Sequence, residues 1–324
     1  MNYRLPKRIS TQATFGVCAP SGFITKTNKL DYAEQYLINR GFGVVEGAHT
    51  RGQNEYFSGT DRERLEDLHS LISNDKVNAI IAARGGYGLT RLLENIDYEL
   101  IAHSQKPIIG FSDVTALNLA LLAKARYVSF QGPMLVPDMG HDNISPYLES
   151  VFEPVLTSSS FISERIAHCE KNSANSDHEK TLKHLEQPLQ GTLWGGNLSI
   201  LTHLTGTPYL PAIEGGILFI EEVNEEPYQI ERMLMQLYHA GILQKQSALL
   251  LCQFNRCVAT DRSATNYSLA QVIHYLRNKL SLPIIENFPF GHVRDKYTLP
   301  IGALATLRGV DDRYYTIEMS QYNI

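Results

Sequence analysis

Gly110-Phe111-Ser112-Asp113 follows the apolar run Pro107-Ile108-Ile109 and precedes a helical pattern from Val114 to Ala125. A serine at such a strand-to-helix turn can act as a nucleophile. Its hydroxyl stands above the strand ends, and the free N–H groups of the helix start face a developing oxyanion. The full Gly-x-Ser-x-Gly pattern is absent, because Val114 takes its last position. The same residues also fit a plain helix N-cap, a place that favours serine. Arg84-Gly85-Gly86-Tyr87-Gly88 is a second candidate. A glycine-rich turn lets backbone approach a ligand closely, either as an anion nest or only as a tight turn. It is neither a dinucleotide fingerprint nor a Walker loop.

Two carboxylates, Glu221 and Glu222, end the apolar run Ile217-Leu218-Phe219-Ile220. Strand alternation turns one of them inward, whereas a solvated loop edge would leave both in water. Phe288-Pro289-Phe290-Gly291-His292 sets one of the chain's 11 histidines after a short apolar segment. Serine, acid and histidine in this chain order match one known triad order. Four cysteines (Cys18, Cys169, Cys252 and Cys257) are too few for a disulfide scaffold in 324 residues, and no Cys/His spacing completes a zinc set. Reduced thiols and no metal are expected.

The elements that must carry these residues alternate β-branched runs with amphipathic stretches from Thr14 to Val128, the pattern of a parallel sheet with crossover helices. Strands are expected at Phe15–Ala19, from Val44, at Ala79–Ala83 and at Pro107–Gly110. Helices are expected over Leu30–Asn39, after Thr60 with Glu63 completing a capping box, through Leu92-Leu93, and over Val114–Ala125. The turn after Ala83 and the turn after Gly110 then both lie at the carboxyl ends of strands, where ligands of open α/β sheets bind. Ser158 to Gln190 is polar without an apolar period and reads as a linker. A second pattern follows: helices over Leu198–Leu204, Pro227–Tyr238 and Tyr267–Leu280, strands over Gly216–Ile220 and Ala248–Cys252, and a final strand pair at Ala303–Leu307 and Tyr314–Glu318.

With 43% hydrophobic and 19% charged residues the chain has ample material for large cores. Lys plus Arg total 29 against 34 Asp plus Glu, a net charge of −5, far from the basic balance of nucleic-acid binders. No apolar run reaches the ~18 residues of a membrane span, and polar residues follow the basic start where a secretory signal needs apolar ones. A cytoplasmic protein with neither nucleic-acid nor membrane partners is expected.

Ala19-Pro20-Ser21-Gly22, Arg84 to Gly88, Gly110 to Asp113, Gly132-Pro133-Met134, Gly191 to Asn197, Glu221 to Tyr228 with Ile230 to Leu234, and Phe290 to His292 occur in an order that resembles the LD-carboxypeptidases. These are serine peptidases of murein tetrapeptides, with the microcin self-immunity proteins as relatives. The resemblance spans about Phe15 to Leu307. It implies a triad of Ser112 as nucleophile, His292 as general base and Glu221 as the acid orienting it, with the backbone N–H groups of Gly86 and Asp113 as oxyanion hole. It also implies an N-terminal doubly wound α/β domain (1–150), a linker (151–190) and a C-terminal α/β domain (191–324), no cofactor, and a homodimer. Glu222 departs from the aspartate common in the family. Arg84 and Arg91 are candidates for a substrate carboxylate, though a surface arginine is usually solvated.

The expected activity is release of the terminal D-alanine from a murein tetrapeptide. The alternatives are a self-immunity-type hydrolase of peptide–nucleotide conjugates and a two-domain binder of small anions. An orienting acid such as Glu221 is expected to be partly replaceable by its amide.

Overall fold

A computed structural model describes residues 3–167, 185, 187–260, 267–311 and 313–324. The first sheet has six strands: β1 (Thr14–Cys18), β2 (Gly43–Glu46), β3 (Ala79–Ala82), β4 (Ile108–Ile109), β5 (Ser129–Gln131) and β12 (Leu299–Ile301), in the order β12-β5-β4-β3-β1-β2. β1 to β5 run parallel, and β12 closes the edge antiparallel to β5. β3 and β4 are buried throughout, as expected of parallel strands covered on both faces.

The helix Asp61–Ser73 starts with the expected capping box between Thr60 and Glu63. Thr115–Ala125 is apolar nearly all round and almost wholly buried, because it is enclosed between the two halves of the chain. It touches β5 and β12 on one side, and the second sheet and the helix Leu198–His203 on the other. The helix expected through Leu92-Leu93 is instead a 3₁₀ turn over Leu89–Arg91, and the regular helix starts later, at Tyr98–Ser104. Asp97 sets that start, since its side chain accepts from the Leu100 N–H at 2.8 Å.

The second sheet comprises β6 (Ser160–Ile162), β7 (Ile166–Ala167), β8 (Leu189–Asn197), β9 (Ile217–Val223), β10 (Ala248–Asn255), β11 (Ile284–Ile285), β13 (Leu304–Gly309) and β14 (Tyr314–Ser320). Its order is β11-β10-β9-β8-β13-β14-β6, with β7 also on β14. β8 to β11 are parallel, and β13, β14, β6 and β7 pair antiparallel. The helices Pro227–His239 and Leu269–Lys279 lie close to the expected bounds.

The chain does not divide as cleanly as the expected linker of 151–190 implied. Pro146–Thr157 is a helix whose Leu148, Val151, Phe152, Val155 and Leu156 are buried, and β6 and β7 add to β14. Short edge strands take their pairing from a neighbour's backbone and need no apolar period, so their sequence reads as polar loop. The centre of the expected linker, 168–184 and 186, lies outside the described residues. β12 corrects the other boundary. It belongs to the range 191–324 but pairs with β5 in the first sheet, so the chain returns to the N-terminal half just after His292. Among the described residues no helix is long and apolar enough to cross a membrane.

Candidate active site

Ser112 is not a helix N-cap. It begins a 3₁₀ turn over Ser112–Val114 that runs into Thr115–Ala125, and neither start has a side-chain cap bond. Its φ of 61° places a non-glycine residue in the left-handed region, a strained conformation that clusters at functional sites. The turn aims its hydroxyl at His292, whose Nε2 lies 3.1 Å from Ser112 Oγ.

On the other side of the ring, His292 Nδ1 lies 2.8 Å from Glu221 Oε2. A fully buried carboxylate accepts, so the Nδ1–H donates to Glu221, and the Nε2 lone pair is left to receive the Ser112 hydroxyl. Glu221 and Glu222 sit inside β9 and are 0% and 2% exposed, which overturns the solvated-edge alternative. Gly291, at φ 133°, lets the histidine loop pass over Glu221: an added Cβ would stand 3.1 Å from the Gln253 carbonyl oxygen and 3.2 Å from Glu221 Cβ. The β9–β10 register shifts between Leu251 and Phe254, and Gln253 there donates its N–H to Phe290 O at 2.9 Å. A strand irregularity thus re-aims one backbone donor to hold the loop.

Asn197 joins the two glutamates. Its Nδ2 donates to Glu221 Oε1 at 3.1 Å and to Glu222 Oε1 at 3.0 Å, while its Oδ1 accepts from Ile200 N and Ser199 Oγ. Glu222 also accepts from Ser199 N at 2.8 Å and Val223 N at 2.9 Å, so it ties the start of the helix Leu198–His203 to β9. Burial, and then the neighbouring Glu221 charge, hold its carboxyl above the ordinary range against these hydrogen bonds. Cys252 is buried near Glu221, and desolvation pushes its thiol well above the usual range, away from nucleophilic use. Cys18, Cys252 and Cys257 are free, while Cys169 lies outside the described residues.

The glycine-rich loop lies against the serine. An added Cβ on Gly85 would be 3.2 Å from Ser112 Cβ and 3.3 Å from its Oγ, and Gly86 has φ 113°. Several contacts fasten this loop to Ala19–Gly22. Gly22 N donates to Gly85 O at 3.2 Å, and the Asp113 carboxylate accepts from Ser21 Oγ at 2.6 Å and Leu89 N at 2.9 Å. The buried Arg64 guanidinium donates to the Pro20 and Gly88 carbonyls. Burial raises the Asp113 carboxyl above its ordinary range, opposed by those two hydrogen bonds.

Both arginine candidates already have partners within the chain. Arg91 pairs with Asp61 at 2.9 Å and lies over the Phe57 ring at 4.7 Å, and Arg84 donates to the Phe23 carbonyl. Among the described residues no three or more His, Cys, Asp or Glu side chains gather as metal ligands do. Residue type and spacing alone do not mark Asn197, Ser21 and Arg64 as site residues. The first two lie within the motifs Gly191 to Asn197 and Ala19 to Gly22, while the only signal for Arg64 is its place in an amphipathic helix.

Known proteins share this arrangement of chain. Residues 15–132 match the family model of the LD-carboxypeptidase N-terminal domain, and residues 190–307 match that of the C-terminal domain. A probable murein peptide carboxypeptidase of Bacillus subtilis is 35% identical over 307 residues, covering 95% of this chain and 92% of its own length. The microcin C7 self-immunity protein of Escherichia coli is 29% identical over 304 residues, covering 89% of this chain and 87% of its own. The crystal structure of a muramoyltetrapeptide carboxypeptidase from Oxalobacter formigenes superimposes with a TM-score of 0.85 at 35% identity, over 96% of this chain and all of that one.

Proposed function

Because this chain belongs to the LD-carboxypeptidase family of serine peptidases, we propose that it releases the terminal D-alanine of murein tetrapeptides, cutting the bond between an L-centre and a D-residue. The observation that carries the reading is the hydrogen-bonded line Glu221–His292–Ser112 ending on a strained serine. A protein that only bound anions would have no use for this line.

In the proposed reaction Ser112 Oγ attacks the scissile carbonyl carbon while its proton passes to His292 Nε2. Glu221 faces the other nitrogen and stabilises the imidazolium. The backbone N–H groups of Gly86 and Asp113 hold the oxyanion. Collapse of the tetrahedral intermediate breaks the C–N bond, and His292 returns the proton to the leaving amine of D-alanine. Water, deprotonated by His292, then attacks the acyl-enzyme, releasing the tripeptide and restoring Ser112. The family resemblance leads us to assign this work to cytoplasmic recycling of peptidoglycan by a homodimer.

A second reading, hydrolysis of a peptide–nucleotide conjugate, is favoured by the similarity to the self-immunity protein. The two are separated by offering the protein the tetrapeptide, the tripeptide, the pentapeptide, the tetrapeptide with an amidated C-terminus and an aminoacyl sulfamoyl nucleoside. The expected result is D-alanine released from the tetrapeptide alone, with the amidated form poor because a terminal carboxylate must be matched by a cation or N–H donors. Ser112→Ala should remove activity by about 10⁶ in turnover with the fold intact. Equal cleavage of tetrapeptide, pentapeptide and amide would make the protein a general amidase, and cleavage of the nucleoside conjugate alone would establish the second reading.

A further inference from the structure

Glu221 and His292 both come from the C-terminal half, so their contact turns the imidazole but does not register it against Ser112, which the N-terminal half carries. That registration must come from contacts between the halves. The histidine lies in a loop closed at its base by Tyr297 N donating to Pro289 O at 3.0 Å. Three consecutive side chains beyond His292 reach across to one segment of the N-terminal half. Arg294 Nη2 donates to Asn143 Oδ1 at 3.1 Å, Asp295 accepts from the Ser145 hydroxyl, and Lys296 Nζ lies 2.6 Å from Asp138 Oδ1.

The third contact is unlike the other two. The Lys296 and Asp138 side chains are 1% and 6% exposed, so it is a buried ion pair. The second carboxylate oxygen of Asp138 accepts from Met134 N at 2.8 Å, and the ammonium stands 3.9 Å from the centre of the Phe111 ring. Phe111 directly precedes the serine, and its ring meets the His292 ring edge-on at 5.0 Å. One cation therefore touches the residue that precedes the nucleophile, and a carboxylate on the nucleophile's side, from the loop that carries the base. An aromatic face over a desolvated ammonium is an attractive contact, and a buried pair is a sensitive register device because each member is costly without the other.

We propose that Lys296 and Asp138 are positioning residues that, through Phe111, hold His292 Nε2 in register with Ser112. The inference rests on the triad reading above. Truncating one partner strands a buried charge, and such single variants can fail to fold. The decisive protein is therefore the neutral pair Asp138→Asn with Lys296→Met, beside Lys296→Arg, which keeps the cation. Two readouts are taken from full-length protein: tetrapeptide turnover, and the rate at which a fluorophosphonate labels Ser112. In the latter the serine oxygen displaces fluoride from phosphorus and its proton passes to His292, with no demand on peptide recognition.

The neutral pair is expected to lower kcat and the labelling rate together by about 10- to 100-fold, the scale of an ångström-sized misplacement, with KM within about twofold and an unchanged melting temperature. Lys296→Arg is expected to recover most of that loss. The proposal is overturned if the neutral pair keeps both rates within about twofold, if KM rises while kcat holds, or if activity falls only as the folded fraction falls. If the wild-type protein labels at Ser112 but leaves the tetrapeptide uncut, the substrate assignment fails while the labelling rates still judge the clasp. A wild-type Ser112 that does not label removes both.

Discussion

Replacing Glu221 by glutamine tests how the buried acid works, and here the geometry argues against the expectation that an amide can partly replace it. In the native site Glu221 Oε2 faces His292 Nδ1 at 2.8 Å, and Oε1 faces Asn197 Nδ2 at 3.1 Å. A glutamine has one acceptor and one NH₂ group for these two donors. If its oxygen faces His292, its NH₂ meets the NH₂ of Asn197. Asn197 cannot rotate to relieve this, because its Oδ1 is held by Ile200 N and Ser199 Oγ, and its Nδ2 also serves Glu222. The amide is therefore forced the other way, with its NH₂ towards Nδ1. That selects the tautomer with the proton on Nε2, which cannot accept the Ser112 proton. Loss of the correct tautomer in a triad costs about 10⁴ in kcat, or about 5.4 kcal/mol of barrier at 1.36 kcal/mol per decade. Initial rates of D-alanine release from the tetrapeptide give kcat, ¹⁵N shifts of the His292 ring give the tautomer, and thermal melting establishes that the variant is folded. A folded Glu221→Gln protein within about tenfold of the wild-type kcat would refute the tautomer reasoning, as would a ring still protonated on Nδ1.

Gly86→Ala introduces a Cβ at φ 113°, a conformation L side chains rarely adopt, so the loop must shift its amides. If the Gly86 N–H binds the oxyanion, kcat falls about 10²- to 10³-fold with little change in KM. A variant that loses KM alone would place Gly86 in substrate binding instead. Glu222→Gln addresses stability. Burial raises this carboxyl in the folded protein above its ordinary value of 4.5, so the folded state holds the proton more tightly than the unfolded chain does. This contribution to stability is fully present below pH 4.5 and is lost as pH rises through the folded value. Denaturant titrations across that window should show wild type gaining on Glu222→Gln as the pH falls, and a constant difference would show that burial does not perturb the carboxyl.

Much of the fold was legible in local chemistry. Short apolar runs such as Ala79–Ala83 and Ile217–Ile220, bounded by turn residues, fit buried strands, and the Thr60/Glu63 box marks a helix start by itself. The candidates Ser112, Glu221 and His292 were legible as residue types that follow short apolar runs. What sequence left open is what long-range contact decides. Ser112 is 180 residues from His292, and Glu221 is 71 from it, so no periodicity bears on their approach. Whether Ser112 capped a helix or stood strained above a strand depended on the backbone angle that the packed turn imposes. The return of β12 to the first sheet, and the pairing of β6 and β7 with β14, rest on backbone hydrogen bonds that carry little side-chain signature. The same holds for Arg91, which reads as a free surface cation until Asp61 and Phe57 are seen beside it. Asn197, Lys296 and Asp138 acquire their consequence only through neighbours. An amide or an ion pair is informative once burial removes water as the alternative partner, and burial is a property of the whole tertiary structure.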